Sequence, residues 1–192
     1  MRKAAFLDRD GVINRKAREG EYVTRWEEMQ ILPGVSDAIG LLNRAGFRVI
    51  VVSNQRCVAK GVITTADLEA LHRRLCEVLA GAGATIDAIY YCPHETQPPC
   101  HCRKPQPGML LDAARDHDID LGASWMIGDS QADVEAGKSA GCSTALLAEG
   151  ESGAKQEPST VAPSLLDAVQ HILQLEKVVT DCDPYAKPRV RI

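Results

Sequence analysis

Short apolar runs recur along the chain, and between them lie stretches in which apolar residues return every three or four positions. The runs cover residues 4–7, 47–52, 86–91, 124–127 and 143–147. They are rich in β-branched side chains and stop in polar or glycine-containing turns, which predicts buried strands. Between Thr64 and Gly81, Leu68, Leu71, Leu75 and Leu79 share one helical face, with Thr64 as the cap and Asp67 in the first turn. Further helices are predicted over 34–44, 108–117, 131–139 and 164–175. Strands alternating with helices predict an α/β fold, a mostly parallel sheet with helices on both faces. Ligands of such sheets bind at the carboxyl ends of the strands.

Two segments stand outside this pattern. Residues 149–162 are rich in Gly, Ser, Glu and Pro and read as a linker, followed by a helix over 163–176. Residues 177–192 read as a tail without chemistry, so 1–148 forms the core. The N-terminal run meets Asp8, Arg9 and Asp10 before it can become a signal peptide, and no apolar run approaches the roughly 20 residues that span a bilayer. A cytoplasmic protein is expected. A net charge of −4 over 192 residues, with no basic stripe, argues against a nucleic-acid partner.

Of four groups of residues that carry chemistry, three directly follow predicted strands and one, with Arg103 and Lys104, follows a cysteine-rich loop. Phe6-Leu7-Asp8-Arg9-Asp10-Gly11 runs an apolar strand into two carboxylates two positions apart. Residues i and i+2 of an extended chain point the same way, and two such carboxylates invite a divalent cation. Val51-Val52-Ser53-Asn54-Gln55 brings a hydroxyl and backbone N–H groups to the end of a second strand. Cys102-Arg103-Lys104-Pro105 supplies adjacent cations, and Ile127-Gly128-Asp129 a further carboxylate. Asp133, four residues on, reads as an acidic residue favoured at a helix N-terminus.

Seven cysteines, an odd number and without a secretory signal, do not read as a disulfide framework. Cys92-Pro93-His94 and Cys100-His101-Cys102 instead form a Cys-x-His and Cys-x-Cys pair with five residues between, a closed tetrahedral zinc set of structural type. His101 is an alternative to His94. The other four cysteines read as small hydrophobes.

In the order acid pair, hydroxyl, cation and acid, residues 3–148 resemble the haloacid dehalogenase-like phosphatases, whose fold is Rossmann-like and three-layered. The resemblance implies that Asp8 is the nucleophile and Asp10 the acid and base. Ser53 and Lys104 would hold the transferring phosphoryl group. Magnesium would be held by the Asp8 carboxylate, the Asp10 backbone carbonyl and Asp129. Asp8-Arg9-Asp10-Gly11, the zinc loop 92–102 and Cys102-Arg103-Lys104-Pro105 are most similar to the heptose bisphosphate and histidinol-phosphate phosphatase group, within it to the heptose branch. That similarity implies a small sugar bisphosphate, nucleotide-activated heptose biosynthesis for surface polysaccharide, and substrate contacts from Arg9, Tyr22, Asn54, Gln55, Arg56 and Arg103. A histidinol-phosphate phosphatase and a non-catalytic zinc-stabilised binding module are the competing readings. The chain departs from the heptose pattern at Arg56-Cys57, where two small residues are usual, and at Ser130, where Lys is frequent. No large cap fits between the motifs, so an open site and a monomer acting on a small phosphorylated metabolite are expected.

Overall fold

The computed structural model describes residues 1–148 and 157–181, with side chains to residue 176. Its strands are β1 Ala4–Leu7, β2 Arg48–Asn54, β3 Ala88–Cys92, β4 Trp125–Gly128, β5 Ser143–Leu147 and β6 Thr160–Ala162. The helices are α1 Val35–Arg44, α2 Thr65–Gly81, α3 Gly108–His117, α4 Gln131–Ala140 and α5 Leu165–Asp181. The strands form one sheet in the order β3-β2-β1-β4-β5-β6, and every pairing is parallel.

Alternation along the central strands separates two apolar layers. Ala5, Leu7, Val49, Val51 and Ile127 face a core shared with α1, α5 and Leu75 and Leu79 of α2. Ala4, Phe6, Ile50, Val52 and Met126 face the opposite core, with Met109, Leu110 and Ala113 of α3 and Ala136 of α4. A fully buried Leu or Phe contributes about 1.5–3 kcal/mol through loss of apolar surface to water. Phe6, Leu7, Ile50 and Met126 all have no exposed surface. Thr64 caps α2 as expected, its hydroxyl accepting from the Asp67 N–H at 3.1 Å.

Chain order reverses at β1, which pairs Leu7 with Val51 on one side and with Ile127 on the other. The carboxyl ends of β1, β2 and β4 therefore meet at a switch point, where open α/β sheets place their ligands.

Several boundaries differ from the sequence pattern, most by a residue or two, and three of the differences matter here. The second strand carries Ser53 and Asn54 inside its pairing, because Ser53 and Asn54 continue the register opposite Tyr91 and Cys92. The linker assigned to 149–162 ends in strand β6, where Val161 pairs with Leu146, while 149–156 lie outside the described residues. Backbone pairing at the sheet edge overrides the polar composition there. The last helix continues to Asp181, past the expected end at 176, and the remainder of the predicted tail lies outside the described residues. Among the described residues, no helix is long and apolar enough to cross a membrane.

Candidate active site

Asp8 leaves β1 with its backbone N–H donating to the Ile127 carbonyl at 3.0 Å, so the strand pairing itself aims it over the switch point. Gly11 turns the chain away at φ +94, and a Cβ there would run into the Asp129 carboxylate. Gly128 is equally constrained: a Cβ would overlap the side chain of Asp133. Both glycines let loop backbones approach the carboxylates they serve.

Asp8, Asp129 and Asp133 each present an oxygen within 4.8 Å of the others. Into this group reaches Lys104, only 4% exposed. Its Nζ lies 3.0 Å from Asp8 Oδ1 and 2.6 Å from Asp133 Oδ1, and donates to the Val52 carbonyl at 2.8 Å. Burial alone would lower the Lys104 pKa, but the charges of Asp8 and Asp133 outweigh it and raise it. For Asp8 the balance is reversed. Burial, aided by Asp133 and opposed by Lys104, pushes its pKa up to about 6. Asp129 Oδ1 is buried without a hydrogen-bond donor, and on Oδ2 the Lys16 ammonium sits at 2.7 Å. Three crowded carboxylates with an unsatisfied buried oxygen fit a hard divalent cation with oxygen ligands.

Asp133 is the residue that sequence reasoning took for a helix-end acid. It is 1% exposed, accepts from the Ser130 N–H at 3.1 Å and hydroxyl at 2.5 Å, and pairs with Lys104. Ser130 thus closes the first turn of α4, and the cation expected beside Asp129 comes from Lys16 in the preceding loop.

The Asp10 carboxylate is not one of that group of oxygens, and it is its backbone carbonyl to which the resemblance gives the metal role. Arg9 Nη2 donates to both its oxygens at 3.0 and 2.9 Å, Asn14 Nδ2 to Oδ1 at 2.9 Å and Gln55 Nε2 to Oδ2 at 3.0 Å. Burial works against ionisation, yet the Arg9 charge and these donors hold Asp10 below the usual carboxylate pKa. Arg9 is 1% exposed and lines the cavity beside Asp10, with Nε and Nη2 of its guanidinium bonded to that carboxylate.

Ser53, Asn54 and Gln55 divide the work of the second loop. The Ser53 hydroxyl accepts from Gln55 Nε2 at 2.8 Å, and Gln55 Oε1 accepts from the buried Cys57 thiol at 3.5 Å. Cys57 thus orients the Gln55 amide. Asn54 donates to the Lys104 carbonyl at 3.0 Å and accepts from its N–H at 3.1 Å, clamping the lysine's backbone. Gln55 and Asn54 line the cavity but spend these polar groups on positioning.

The cysteine loop begins at the end of β3. Cys92 Sγ lies 3.6 Å from both His94 Nδ1 and Cys100 Sγ, and Cys102 Sγ lies 3.2 Å from His94 Nδ1 and 3.5 Å from Cys100 Sγ. A tetrahedral zinc with three thiolates and one imidazole spaces its donors by about 3.5–3.8 Å, so the set fits. His101 is turned outward to Asp112 at 3.5 Å and does not join it. Of the remaining cysteines, Cys57 and Cys142 are buried, Cys76 is half-buried, and Cys182 lies outside the described residues.

Above the carboxylates opens a cavity of about 360 Å³, lined among others by Lys16, Arg18, Tyr22, Ser53, Arg103 and Lys104. Arg103 leaves the cysteine loop with Nη1 3.4 Å from the His94 carbonyl. Arg56 stands behind Tyr22, with Nε and Nη2 each 3.4 Å from its hydroxyl and Glu95 at 3.7 Å. Tyr22 and Arg103 thus line the cavity, and Arg56 meets Tyr22 at its hydroxyl.

A parallel sheet whose central strand ends in this carboxylate–lysine cluster defines a HAD-like phosphoric monoester hydrolase. A family model described as HAD-hyrolase-like matches residues 101–168. The D-glycero-beta-D-manno-heptose-1,7-bisphosphate 7-phosphatase of Rhodopseudomonas palustris is 44% identical over 147 residues, 73% of this chain and 80% of that protein. The D-glycero-alpha-D-manno-heptose-1,7-bisphosphate 7-phosphatase of Mycobacterium bovis is 42% identical over 131 residues, 68% of each chain. The crystal structure of the D,D-heptose 1,7-bisphosphate phosphatase of Bordetella bronchiseptica, complexed with magnesium and phosphate, aligns with a TM-score of 0.82. It is 37% identical and covers 90% of this chain and 99% of that one. The chain belongs to the D-glycero-D-manno-heptose-1,7-bisphosphate 7-phosphatase family of the HAD-like hydrolases. The reading as a non-catalytic binding module is set aside.

Proposed function

We propose that the protein hydrolyses the 7-phosphate of D-glycero-D-manno-heptose 1,7-bisphosphate through an aspartyl phosphate on Asp8, as a magnesium enzyme. The observation that carries this reading is the buried Lys104 ammonium set between Asp8 and Asp133 beneath a cation-lined cavity. With its pKa near 6, Asp8 is mostly a carboxylate at neutral pH. Its oxygen attacks phosphorus as the bond to the sugar oxygen breaks; the bound phosphate dianion opposes the donors that keep Asp10 ionised in the free site, so that Asp10 takes up a proton from solvent and delivers it to the departing oxygen. A water then attacks the aspartyl phosphate, its proton goes to Asp10, and inorganic phosphate leaves. Lys104 and the Ser53 hydroxyl hold the equatorial oxygens throughout. Asp8, Asp129 and the Asp10 carbonyl, with Asp133 beside them, would hold the magnesium, which when bound would supply the positive charge that lets a carboxylate approach a dianionic phosphate.

The four cysteine-loop donors hold a structural zinc, and the short spacing from Cys102 to Lys104 makes that loop the anchor of the lysine. Lys16, Arg18 and Arg103 on the cavity wall suit an anionic second phosphate better than the imidazole of histidinol phosphate. Product heptose 1-phosphate would feed a nucleotidyl-transfer reaction in the cytoplasm. Phosphate release with magnesium tests the assignment over both anomers of heptose 1,7-bisphosphate, histidinol phosphate and fructose 1,6-bisphosphate. A kcat/KM preference of at least tenfold for one heptose anomer is expected. A preference for histidinol phosphate would overturn the substrate, leaving the reaction class intact.

A further inference from the structure

Arg9 is a charged side chain sealed from water, and each of its N–H groups left without an acceptor would carry a desolvation cost. Nε and Nη2 are spent on Asp10. Nη1 donates to His72 Nε2 at 3.1 Å. His72 lies on the apolar stripe of α2 with Leu68, Leu71, Leu75 and Leu79, and is itself 5% exposed. Its ring meets the Tyr91 ring edge-on, with centroids 5.6 Å apart at 62°. The Tyr91 hydroxyl donates in turn to Glu69 on α2 at 3.1 Å. Burial and then the Arg9 charge push the His72 pKa down to about 3, so the ring is neutral and offers a lone pair to the guanidinium.

We propose that His72 is a positioning residue for the acid/base chemistry: it fixes Arg9 beneath Asp10, and Arg9 sets the direction of the Asp10 carboxylate. The inference rests on the acid/base role proposed for Asp10. Without an acceptor at position 72, the Arg9–Asp10 pair keeps its internal bonds but loses its fixed point on α2. Asp8 and Lys104 are held by other bonds, to the Ile127 and Val52 carbonyls and to Asp133, and stay in place. The effect therefore falls on proton delivery rather than on attack at phosphorus.

That separation can be read through the leaving group. An alkyl phosphate needs the Asp10 proton on its departing oxygen, while p-nitrophenolate leaves as a stable anion. Because kcat/KM covers the reaction only through departure of that group, later hydrolysis of the aspartyl phosphate does not mask the difference. His72→Leu and His72→Gln are compared with the unaltered enzyme on heptose 1,7-bisphosphate, or the best alkyl phosphate of the panel above, and on p-nitrophenyl phosphate, all with magnesium. His72→Leu is expected to lose about 10- to 100-fold in kcat/KM on the alkyl ester, part of the general acid–base contribution. On the aryl ester the loss should stay below about threefold. Glutamine brings an amide oxygen near the position of Nε2 and should restore most of the alkyl activity. If the leucine variant does not fold, His72→Met replaces it with the same expectations. Equal losses on both esters, or none, would overturn the proposal. Asp10→Asn serves as the reference: if it shows no alkyl–aryl split, the acid/base role itself fails, whereas a split there without one in the His72 variants refutes the His72 inference alone.

Discussion

Replacing Lys104 by Met removes a buried positive charge and leaves Asp8 and Asp133, 3.0 and 2.6 Å from it, facing one another without a counter-ion. At an effective dielectric constant of about 20, a unit charge at 3 Å from a carboxylate interacts by about 5 kcal/mol. Breaking one side of a buried ion pair costs about 3–5 kcal/mol in practice. Without magnesium the variant should therefore lose about 4 kcal/mol near pH 8, or about 10 °C in Tm for a chain of this size. The loss has a defined pH dependence. With the ammonium gone, the Asp8 carboxyl, already raised by burial, binds its proton more tightly in the folded protein than in the unfolded chain. That contribution is fully present below the unfolded value of about 4 and disappears as pH rises through the elevated folded value. Thus the deficit should shrink towards pH 5, and also on adding magnesium, which replaces the missing charge. Denaturant unfolding at pH 5 and pH 8, with and without magnesium, measures all four conditions. A deficit below about 1 kcal/mol, or one indifferent to both pH and magnesium, would refute the electrostatic account of this cluster.

Three further outcomes follow from the geometry. Removing zinc with a chelator, or replacing Cys100 by Ser, should release the loop that precedes Lys104 and lower activity and Tm together, with about one zinc per chain in the intact protein by elemental analysis; an unchanged Tm after metal loss would exclude a structural zinc. Gly11→Ala puts a Cβ against Asp129 at a φ of +94 and should weaken magnesium binding by at least about tenfold in calorimetric titration, for about 1–3 kcal/mol of backbone strain. Because the Asp8 pKa is raised to about 6, protons compete with magnesium there, so magnesium affinity should rise from pH 5 to pH 7, and a flat profile would contradict the raised value.

Much of the site was legible because three of the four motifs follow an apolar run into a polar break and the fourth, with Lys104, follows the cysteine loop. Asp8, Ser53 and Asp129 lie at strand ends of a parallel sheet, and the strand-end rule places them together without knowledge of the contacts. The cysteine loop was legible through spacing alone, with the choice between His94 and His101 left to the geometry. Asp133 was not, because an acidic residue in the first turn of a helix has the same sequence appearance whether it compensates a dipole or binds Lys104. The bonds of Arg9 run to Asp10 and also to His72 on a different segment, so the pattern of residues 8–10 alone did not show them. His72 carried a signal that was available: a polar residue on the Leu68–Leu79 stripe requires a buried partner. The inward roles of Asn54 and Gln55 depend on which atoms face each other across separate loops, and pattern does not encode that.

The central claim is that Asp8 removes one particular phosphate. ³¹P NMR of heptose 1,7-bisphosphate turnover, with the unaltered enzyme and with Asp8→Asn in magnesium buffer, tests it most directly. The account predicts that the 7-phosphate resonance gives way to inorganic phosphate while the 1-phosphate persists, and that the Asp8→Asn protein leaves both unchanged. Loss of the 1-phosphate, or turnover by the Asp8→Asn protein, would contradict it.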